Sequence, residues 1–407
     1  MFYYCTALSF GGNEVYTSAV IPYMPYLEDA SSMFAGSVLY DTYHHKTSGD
    51  ARPAKLEFNF SSDIRNLSLF MGGANAATAD NHEEFGHTGS VTINLPYGSS
   101  RHADGAFLNA NHSFQNATIP NIIINYFNNI ASADGMFQSC KFDNINLKFE
   151  TDVDKNGMAF YLMFANAVGM NIELLRDDYT GSSYYASEEK VKLGDENFFC
   201  NLYALYNPKG TTGSYYTNNG EVNFKGMFEH FVSGNYDDVI YNYLTGEASG
   251  HSTFGIHESA DENTTLTLTS NNPNWSYLES LERMFLYSPS VESAYFKNAA
   301  FTETKTGGRH FNAKSMFAGC RNMTLLDIKD DSFMYCQTAD NMCYNCISMW
   351  SATLGGNSFL FCESAKEMFA GCTKLESVIF NQRTESIGSH VGGGFSGVRM
   401  FEGCSSL

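Results

Sequence analysis

Two cysteines, Cys343 and Cys346, stand in a CxxC arrangement, which can hold zinc or take part in thiol–disulfide exchange. A closed zinc site needs four ligands, and no second CxxC or histidine pair is present to complete the set. The sequence therefore favours two free thiols, with a zinc or redox role as the lesser alternative.

His82, Glu83 and His87 have the residue types of a zinc-protease helix. In that motif the histidines are four residues apart, so that both lie on one helical face. Here they are five apart, and Gly86 lies between them. We predict a solvated loop at this position.

Asp152, Asp154 and Asn156 resemble the start of a calcium-binding loop. The twelfth position of such a loop holds a bidentate carboxylate, but in this sequence it is Met163. A turn between repeats is the favoured interpretation, and weak calcium binding by the three residues stays open.

The nucleophile motif GxSxG and the phosphate loop GxxxxGK[ST] are missing from the 407 residues. We therefore expect no catalytic residue, no cofactor-binding residue, no cofactor and no resident metal. The prediction is that the chain is not an enzyme.

An internal repeat underlies the rest of the sequence. The segment Ser332 to Cys346 aligns without a gap on Ser358 to Cys372, which lies 26 residues further on. A Met-Phe pair or a close variant begins at Met1, Met33, Met136, Met163, Met227, Met284, Met316, Met342, Met368 and Met400. With weaker copies near Phe70, Phe107, Phe198 and Phe254, we predict about thirteen or fourteen coils of one repeating unit.

Each Met-Phe box is defined here as the eight residues from three before the Met to four after it. In one box Ala313, Met316, Phe317 and Cys320 follow the i, i+3, i+4, i+7 spacing of a buried helical face. The box is therefore predicted to be a short helical segment.

The residues after each box change to an apolar-x-x-apolar-x-apolar pattern, as in Met323, Leu326 and Ile328. Its last part alternates with period two, as a half-buried strand does. One such unit buries too little apolar surface to offset its ordering entropy, so neighbouring units must stack and share their cores.

The box MFxGC followed by LxxLxL resembles the BspA-like leucine-rich repeats of bacterial surface proteins and phage-encoded proteins. The resemblance is strong over Met284 to Leu407 and patchy between Val38 and Arg283. It implies an α/β repeat solenoid, leucine-rich-repeat-like, with short parallel strands on one face and short helical segments on the other. It also implies adhesion or partner binding, and it supplies no catalytic residues.

The predicted domain organisation is a single repeat array over residues 1-407, with regular repeats in 1-37, irregular repeats with loop insertions in 38-283, and regular repeats in 284-407. The chain opens and closes at boxes without a polar capping unit. This favours a section of a longer array, with any leader or anchor in the flanking parts.

The formal charge of −20, from 44 acidic and 24 basic residues, argues against a nucleic acid as partner, because phosphate binding needs clustered cations. No apolar run is long enough for a membrane helix. We expect a protein or glycan ligand, no nucleic acid, no membrane insertion in this segment, and a cell-surface or extracellular location, with a virion as the alternative.

The ten cysteines are predicted to be mostly free. Cysteine alternates mainly with serine and alanine at the last box position, where we expect a small buried side chain. Side chains in this column should run side by side, which disfavours disulfides between adjacent coils.

The predicted binding surface is the outward face of the strands in the most regular repeats. Its candidate residues are Leu325, Asp327, Lys329, Ser351, Thr353, Ser377, Ile379 and Asn381. The sequence thus predicts a non-catalytic adhesion or interaction module at a bacterial cell surface. The alternative is a structural or receptor-binding component of a phage virion, such as a tail-associated protein.

Overall fold

The computed structural model describes residues 8–10, 19–37, 39–41, 52–53, 55–74, 89–96, 108–127, 130–150, 161–178, 187–195, 198, 222–234, 239–242, 245, 247–259, 278–297, 311–329, 331–382, 387–389, 391 and 394–407. The chain forms two compact units. Unit 1 consists of Met1–Lys190 with Gly234–Asp237, and unit 2 of Val191–Ser233 with Asp238–Leu407. A single array over residues 1-407 stays a prediction.

The strands of the first half are β1 (Leu8–Phe10), β2 (Ala19–Met24), β3 (Leu39–Asp41), β4 (Arg52–Pro53), β5 (Lys55–Phe60), β6 (Ser90–Asn94), β7 (Leu108–Asn109), β8 (Asn121–Asn125), β9 (Ile130–Ser132), β10 (Lys141–Glu150), β11 (Val168–Asp178) and β12 (Ser187–Lys192). The main sheet has the order β12-β11-β10-β8-β6-β5-β2. Neighbouring strands from β2 to β11 run parallel. Smaller sheets join β1, β3 and β4, and β7 with β9.

The strands of the second half are β13 (Val222–Asn223), β14 (Val232–Ser233), β15 (Ile240–Asn242), β16 (Glu247–Ser249), β17 (Phe254–Ser259), β18 (Leu278–Ser280), β19 (Val291–Lys297), β20 (Phe311–Asn312), β21 (Leu325–Ile328), β22 (Cys336–Thr338), β23 (Ser351–Gly356) and β24 (Ser377–Gln382). Two parallel sheets, β17-β19-β21-β23-β24 and β13-β18-β20-β22, carry successive coils. An antiparallel pair, β15 and β16, lies outside them.

The prediction of helical segments is wrong. No helical element occurs among the described residues, and the α/β leucine-rich-repeat-like fold class is therefore incorrect. Both units are stacks of β coils in which each box is a run of tight turns. The predicted apolar positions are nevertheless buried: Ala313, Met316, Phe317 and Cys320 are at most 2% exposed.

Alternate backbone N–H groups of a box bond in two directions. One set closes turns onto the carbonyl three residues back, in the pairs Met316 to Ala313, Ala318 to Ser315 and Cys320 to Phe317. The other set reaches the next coil, in the pairs Ser315 to Asp340, Phe317 to Met342 and Gly319 to Tyr344. This arrangement, the turn ladder, satisfies the backbone of a buried segment without a helix.

Two positions in every described box adopt a left-handed backbone, which a helix does not allow. They are the residue before the Met slot and the third residue after it, in the pairs Ser32 and Gly36, Leu69 and Gly73, His112 and Asn116, Gly135 and Ser139, Leu162 and Asn166, Gly226 and His230, Arg283 and Tyr287, Ser315 and Gly319, Asn341 and Asn345, Glu367 and Gly371, and Arg399 and Gly403. The i, i+3, i+4, i+7 spacing therefore describes consecutive turns here.

These pairs mark the boxes that the structure describes. Of the weaker copies, Phe70 is confirmed, because it fills the Met slot of a box. The prediction of a copy near Phe254 is wrong, since Phe254–Ser259 form the strand β17. Phe107 lies outside the described residues, and the box in that stretch is formed around Ser113 and Phe114 instead.

Phenylalanines of successive boxes stack in columns inside each unit. In unit 1 the rings of Phe114, Phe137 and Phe164 follow one another at centroid distances of 5.5 and 5.2 Å. Offset aromatic stacking of this kind adds to the stabilisation that burial already provides. In unit 2 an equivalent column contains Phe228, Phe285 and Phe317, 5.4 and 5.6 Å apart.

Candidate functional site

The residues predicted to bind a partner lie in rows across three neighbouring strands of unit 2. Leu325, Ser351 and Ser377 are paired in register, and so are Asp327, Thr353 and Ile379. Lys329 follows the end of β21, and Asn381 lies in β24. We call these eight residues the mixed face.

On β21 and β23 the positions that alternate with the mixed face, Leu326, Ala352 and Leu354, are fully buried, while Thr353 is partly exposed. Ser351 of the mixed face is buried as well. On β24, Ile379 and the alternate residue Phe380 are both exposed, so the period-two pattern separates an outward from a buried side on β21 and not on β24.

Charge on the mixed face is local and largely neutralised. Lys329 Nζ lies 2.9 Å from Asp327 Oδ2. The second carboxylate oxygen, Asp327 Oδ1, is buried and has no hydrogen-bond partner among the described residues. Ser377 Oγ donates a hydrogen bond of 3.3 Å to Ser351 Oγ. The face therefore presents small hydroxyls, one ion pair and the apolar Ile379.

A second outward face, on unit 1, was not predicted from the sequence. It has three rows on β5, β6, β8, β10 and β11, and we call it the amide face. Its residues are Asn59, Asn94 and Asn125 in one row, Glu57, Thr92, Ile123, Asn146 and Glu173 in the middle row, and Asn121, Asn144 and Asn171 in the third. The burial pattern of β6 and β8 alternates, which places these residues outward.

Side-chain amides of the amide face bond to each other from strand to strand. Asn94 Nδ2 donates to Asn59 Oδ1 at 2.8 Å, and Asn125 Nδ2 donates to Asn94 Oδ1 at 2.6 Å. In the other row Asn144 Nδ2 donates to Asn121 Oδ1 at 2.8 Å, and Asn171 Nδ2 donates to Asn144 Oδ1 at 2.9 Å. These two amide ladders hold neighbouring strands in register.

The middle row separates the two ladders and carries its charge at the two ends. Glu57 Oε1 accepts a second hydrogen bond of Asn94 Nδ2 at 2.8 Å. Glu173 is buried, and its Oε2 lies 2.6 Å from Lys190 Nζ. Between the two acids lie the uncharged residues Thr92, Ile123 and Asn146.

The cysteines of the boxes are free, as predicted, wherever the structure describes them. The free cysteines are Cys140, Cys320, Cys336, Cys343, Cys346, Cys362, Cys372 and Cys404, and all but Cys404 are buried. Cys5 and Cys200 lie outside the described residues.

The thiol at the last box position also has a bonding role that the sequence did not reveal. Cys346 Sγ donates to Phe317 O at 3.1 Å, and Cys320 Sγ donates to Phe285 O at 3.0 Å, each in the preceding coil. Ser288 Oγ at the equivalent position donates to Phe231 O at 2.8 Å. The exchange of cysteine with serine thus preserves a buried donor as well as a small volume.

These thiols are poor nucleophiles because they are buried. Burial raises the pKa of Cys343 and Cys346, the CxxC pair, above the ordinary value. Burial also raises the pKa of Cys362 to about 12. Within the described residues no group of three or more His, Cys, Asp or Glu side chains is arranged to hold a metal ion.

The other motifs singled out in the sequence lie outside the described residues. They are the histidine-rich segment with His82, Glu83 and His87, and the calcium-like segment with Asp152, Asp154 and Asn156. Calcium binding by the second segment stays an open prediction.

Comparison of this chain with family models, with curated proteins and with solved structures found no match. The BspA-like assignment therefore stays a resemblance carried by the box sequence. In the described part of the chain, no helix has the length and apolar character needed to cross a membrane.

Proposed function

We propose that this chain is a non-catalytic interaction or adhesion module that binds a protein or glycan partner at a bacterial cell surface. The observation that carries the proposal is a pair of parallel sheets whose outward side chains form rows in register over a closely packed core. Such rows hold many polar groups in fixed positions, which lowers the entropy cost of binding an extended partner.

The contrast between core positions and outward positions in the sequence supports the same proposal. Box positions repeat the same few residue types in both units, while the outward strand positions of the amide face differ from those of the mixed face. The chain thus keeps its core and varies its surface between the two sheets, the arrangement by which repeat proteins make extended binding surfaces.

The strongly acidic composition supports a partner other than nucleic acid. With 44 acidic and 24 basic residues the chain repels phosphate backbones. A protein with a basic or neutral surface, or an uncharged glycan, meets no such electrostatic cost.

The second candidate is a structural or receptor-binding component of a phage virion. The abundance of Gly and Tyr, 35 and 25 residues, favours this alternative on composition. The genes beside the coding sequence distinguish the two: secretion or anchor genes support the cell surface, whereas tail or capsid genes support the virion.

The direct test is binding of the purified full chain to a panel of host surface proteins, mucins and glycans. We expect saturable binding that is lost after thermal unfolding. Failure to bind any member of a broad panel contradicts the proposal.

A further inference from the structure

The amide face has hydrogen-bonding capacity beyond what its own ladders use. A carboxamide offers two N–H donors and an oxygen with two lone pairs. Asn171 uses one N–H in its ladder bond, and Asn125 likewise uses one N–H. Asn144 uses one N–H and one lone pair. Within the described residues, each of the three keeps both a donor and an acceptor for an outside group.

The ladders also fix the direction of these groups. Because each amide is bonded to the amide of the next strand, its plane cannot rotate without breaking that bond. The remaining donors and acceptors therefore recur at the strand spacing, about 4.8 Å. A ligand meets an array that is already ordered, and binding does not have to immobilise flexible side chains.

The chemistry between the ladders is uncharged. Ile123, partly exposed, lies at the centre of the middle row, with Thr92 and Asn146 on the strands beside it. The two carboxylates of this row, Glu57 and Glu173, lie at its ends and are bonded to Asn94 and Lys190. An apolar centre flanked by paired donors and acceptors fits a ligand that has both hydroxyl groups and C–H faces.

We propose that the amide face binds an uncharged glycan that runs across the strands. Sugar hydroxyls donate and accept together, as carboxamides do, and the C–H face of a sugar ring can pack on Ile123. Polyanions are disfavoured because the row ends in acids. This inference rests on the proposed function and names the ligand class and the unit that binds it.

The test uses the full chain and a panel of neutral oligosaccharides, made of linear glucans, mannans and N-acetylglucosamine oligomers, with sulfated oligosaccharides for comparison. The double variant Asn125→Ala/Asn171→Ala removes amides that make one ladder bond each. We expect binding of a neutral glycan by the native chain and a loss of at least about tenfold in the variant, since hydrogen bonds made in the complex are removed.

A single variant, Asn171→Asp, keeps the shape of the side chain while replacing its donor with a negative oxygen. It should also weaken binding. A cooperative urea transition, with a midpoint lowered only by the cost of the lost ladder bonds, shows that either variant is folded. The matched control is Thr353→Ala/Ser377→Ala on the mixed face, which should bind the neutral glycan as the native chain does, whatever its effect on protein binding.

Each outcome separates this inference from the proposed function. Neutral-glycan binding that survives both amide variants overturns the inference, as does binding lost only in the mixed-face control. Binding of proteins but of no neutral glycan also overturns it and leaves the proposed function standing. Self-association in sedimentation that the amide variants abolish, without glycan binding, assigns the face to a second copy of the chain and overturns the inference. Failure to bind any protein or glycan overturns both.

Discussion

Unit 1 and unit 2 each have a turn ladder and a buried column of stacked phenylalanines, yet the outward faces of their main sheets differ. The amide face bonds its own side chains into rows, whereas the mixed face carries short hydroxyls, one ion pair and the exposed Ile379. Core positions thus determine the coil, and the outward positions are free to diverge. Specificity in this chain should therefore reside in the outward rows.

The units differ as well in where their thiols lie. Unit 1 contains one described cysteine, Cys140, and unit 2 contains seven. This difference, together with the contrast between the faces, gives four predictions.

The largest expected effect is alkaline destabilisation of unit 2. Burial raises the pKa of thiols such as Cys336 and Cys346 in the folded chain above the ordinary value of 9.0. Their stabilising contribution is complete below pH 9 and is lost as the pH rises from 9 towards the folded pKa. In that window, each buried thiol lowers the free energy of unfolding by about 1.4 kcal/mol per pH unit.

Hydrogen exchange resolved by mass spectrometry at pH 8 and pH 10, corrected for intrinsic rates, should show a larger stability loss in unit 2. The variant Cys346→Ser should reduce the pH dependence of unit 2 alone. Equal losses in the two units contradict the burial of the thiol column.

Truncation of the stacked phenylalanines should be the next largest effect. Phe137→Ala and Phe317→Ala remove fully buried rings and should each lower the free energy of unfolding by about 3–5 kcal/mol. The loss should be greater for Phe137, which stacks on Phe114 and Phe164, because the coil after Phe317 has Cys343 in the same slot.

Urea unfolding measures both variants against Ile379→Ala, which truncates an exposed side chain and should cost under about 1 kcal/mol. If Phe317→Ala unfolds at the same urea concentration as the native chain, the Phe317 ring is not part of the core.

A glycine substitution tests the turn ladder itself. Gly319 has φ of 72°, and an added Cβ would lie 2.2 Å from Cδ1 of the Tyr287 ring. Gly319→Ala should therefore destabilise unit 2 by about 1–3 kcal/mol. Gly394 has φ of 84° with nothing within 4 Å, so Gly394→Ala should show the backbone strain alone.

Chemical denaturation compares the two glycine variants. In a helix the same change at Gly319 would stabilise the chain by up to about 1 kcal/mol. A stabilised Gly319→Ala protein is thus incompatible with the turn ladder.

The smallest expected effect is a difference in stability cost between a substitution on the amide face and one on the mixed face. Asn144→Ala breaks two ladder bonds and should cost about 0.5–1.5 kcal/mol. Thr353→Ala, at an outward strand position of the mixed face, should stay within about 0.5 kcal/mol of the native chain. Thermal melts of the two variants measure the difference, and equal costs would remove any structural role from the amide ladders.

The sequence predicted the repeat, the buried stripe and the mixed-face rows because the strands β21, β23 and β24 of unit 2 follow one another at a constant period of 26 residues. Ser351 and Ser377 are 26 residues apart, and the strand pattern keeps its register with the box. The amide ladders could not be predicted in the same way. Their bonded partners are separated by 23 to 35 residues, so loops of varying length hide which residues pair in register.

The backbone conformation of the box could not be predicted from its residue types. Gly319 signals a left-handed position, but Ser315, Arg283 and Tyr287 adopt the same region without being glycine. Helical spacing and consecutive turns bury the same side chains, so periodicity alone does not distinguish them. The deciding interaction is the hydrogen bond from Phe317 to Met342 in the next coil, 25 residues away.

That hydrogen bond offers the most direct measurement. Nuclear magnetic resonance of the deuterated full chain can detect scalar coupling across it, between the backbone nitrogen of Phe317 and the carbonyl carbon of Met342. The turn ladder predicts this coupling, together with one from Cys320 nitrogen to Phe317 carbonyl. Coupling from Phe317 nitrogen to the carbonyl of Ala313, four residues back as in a helix, would contradict it.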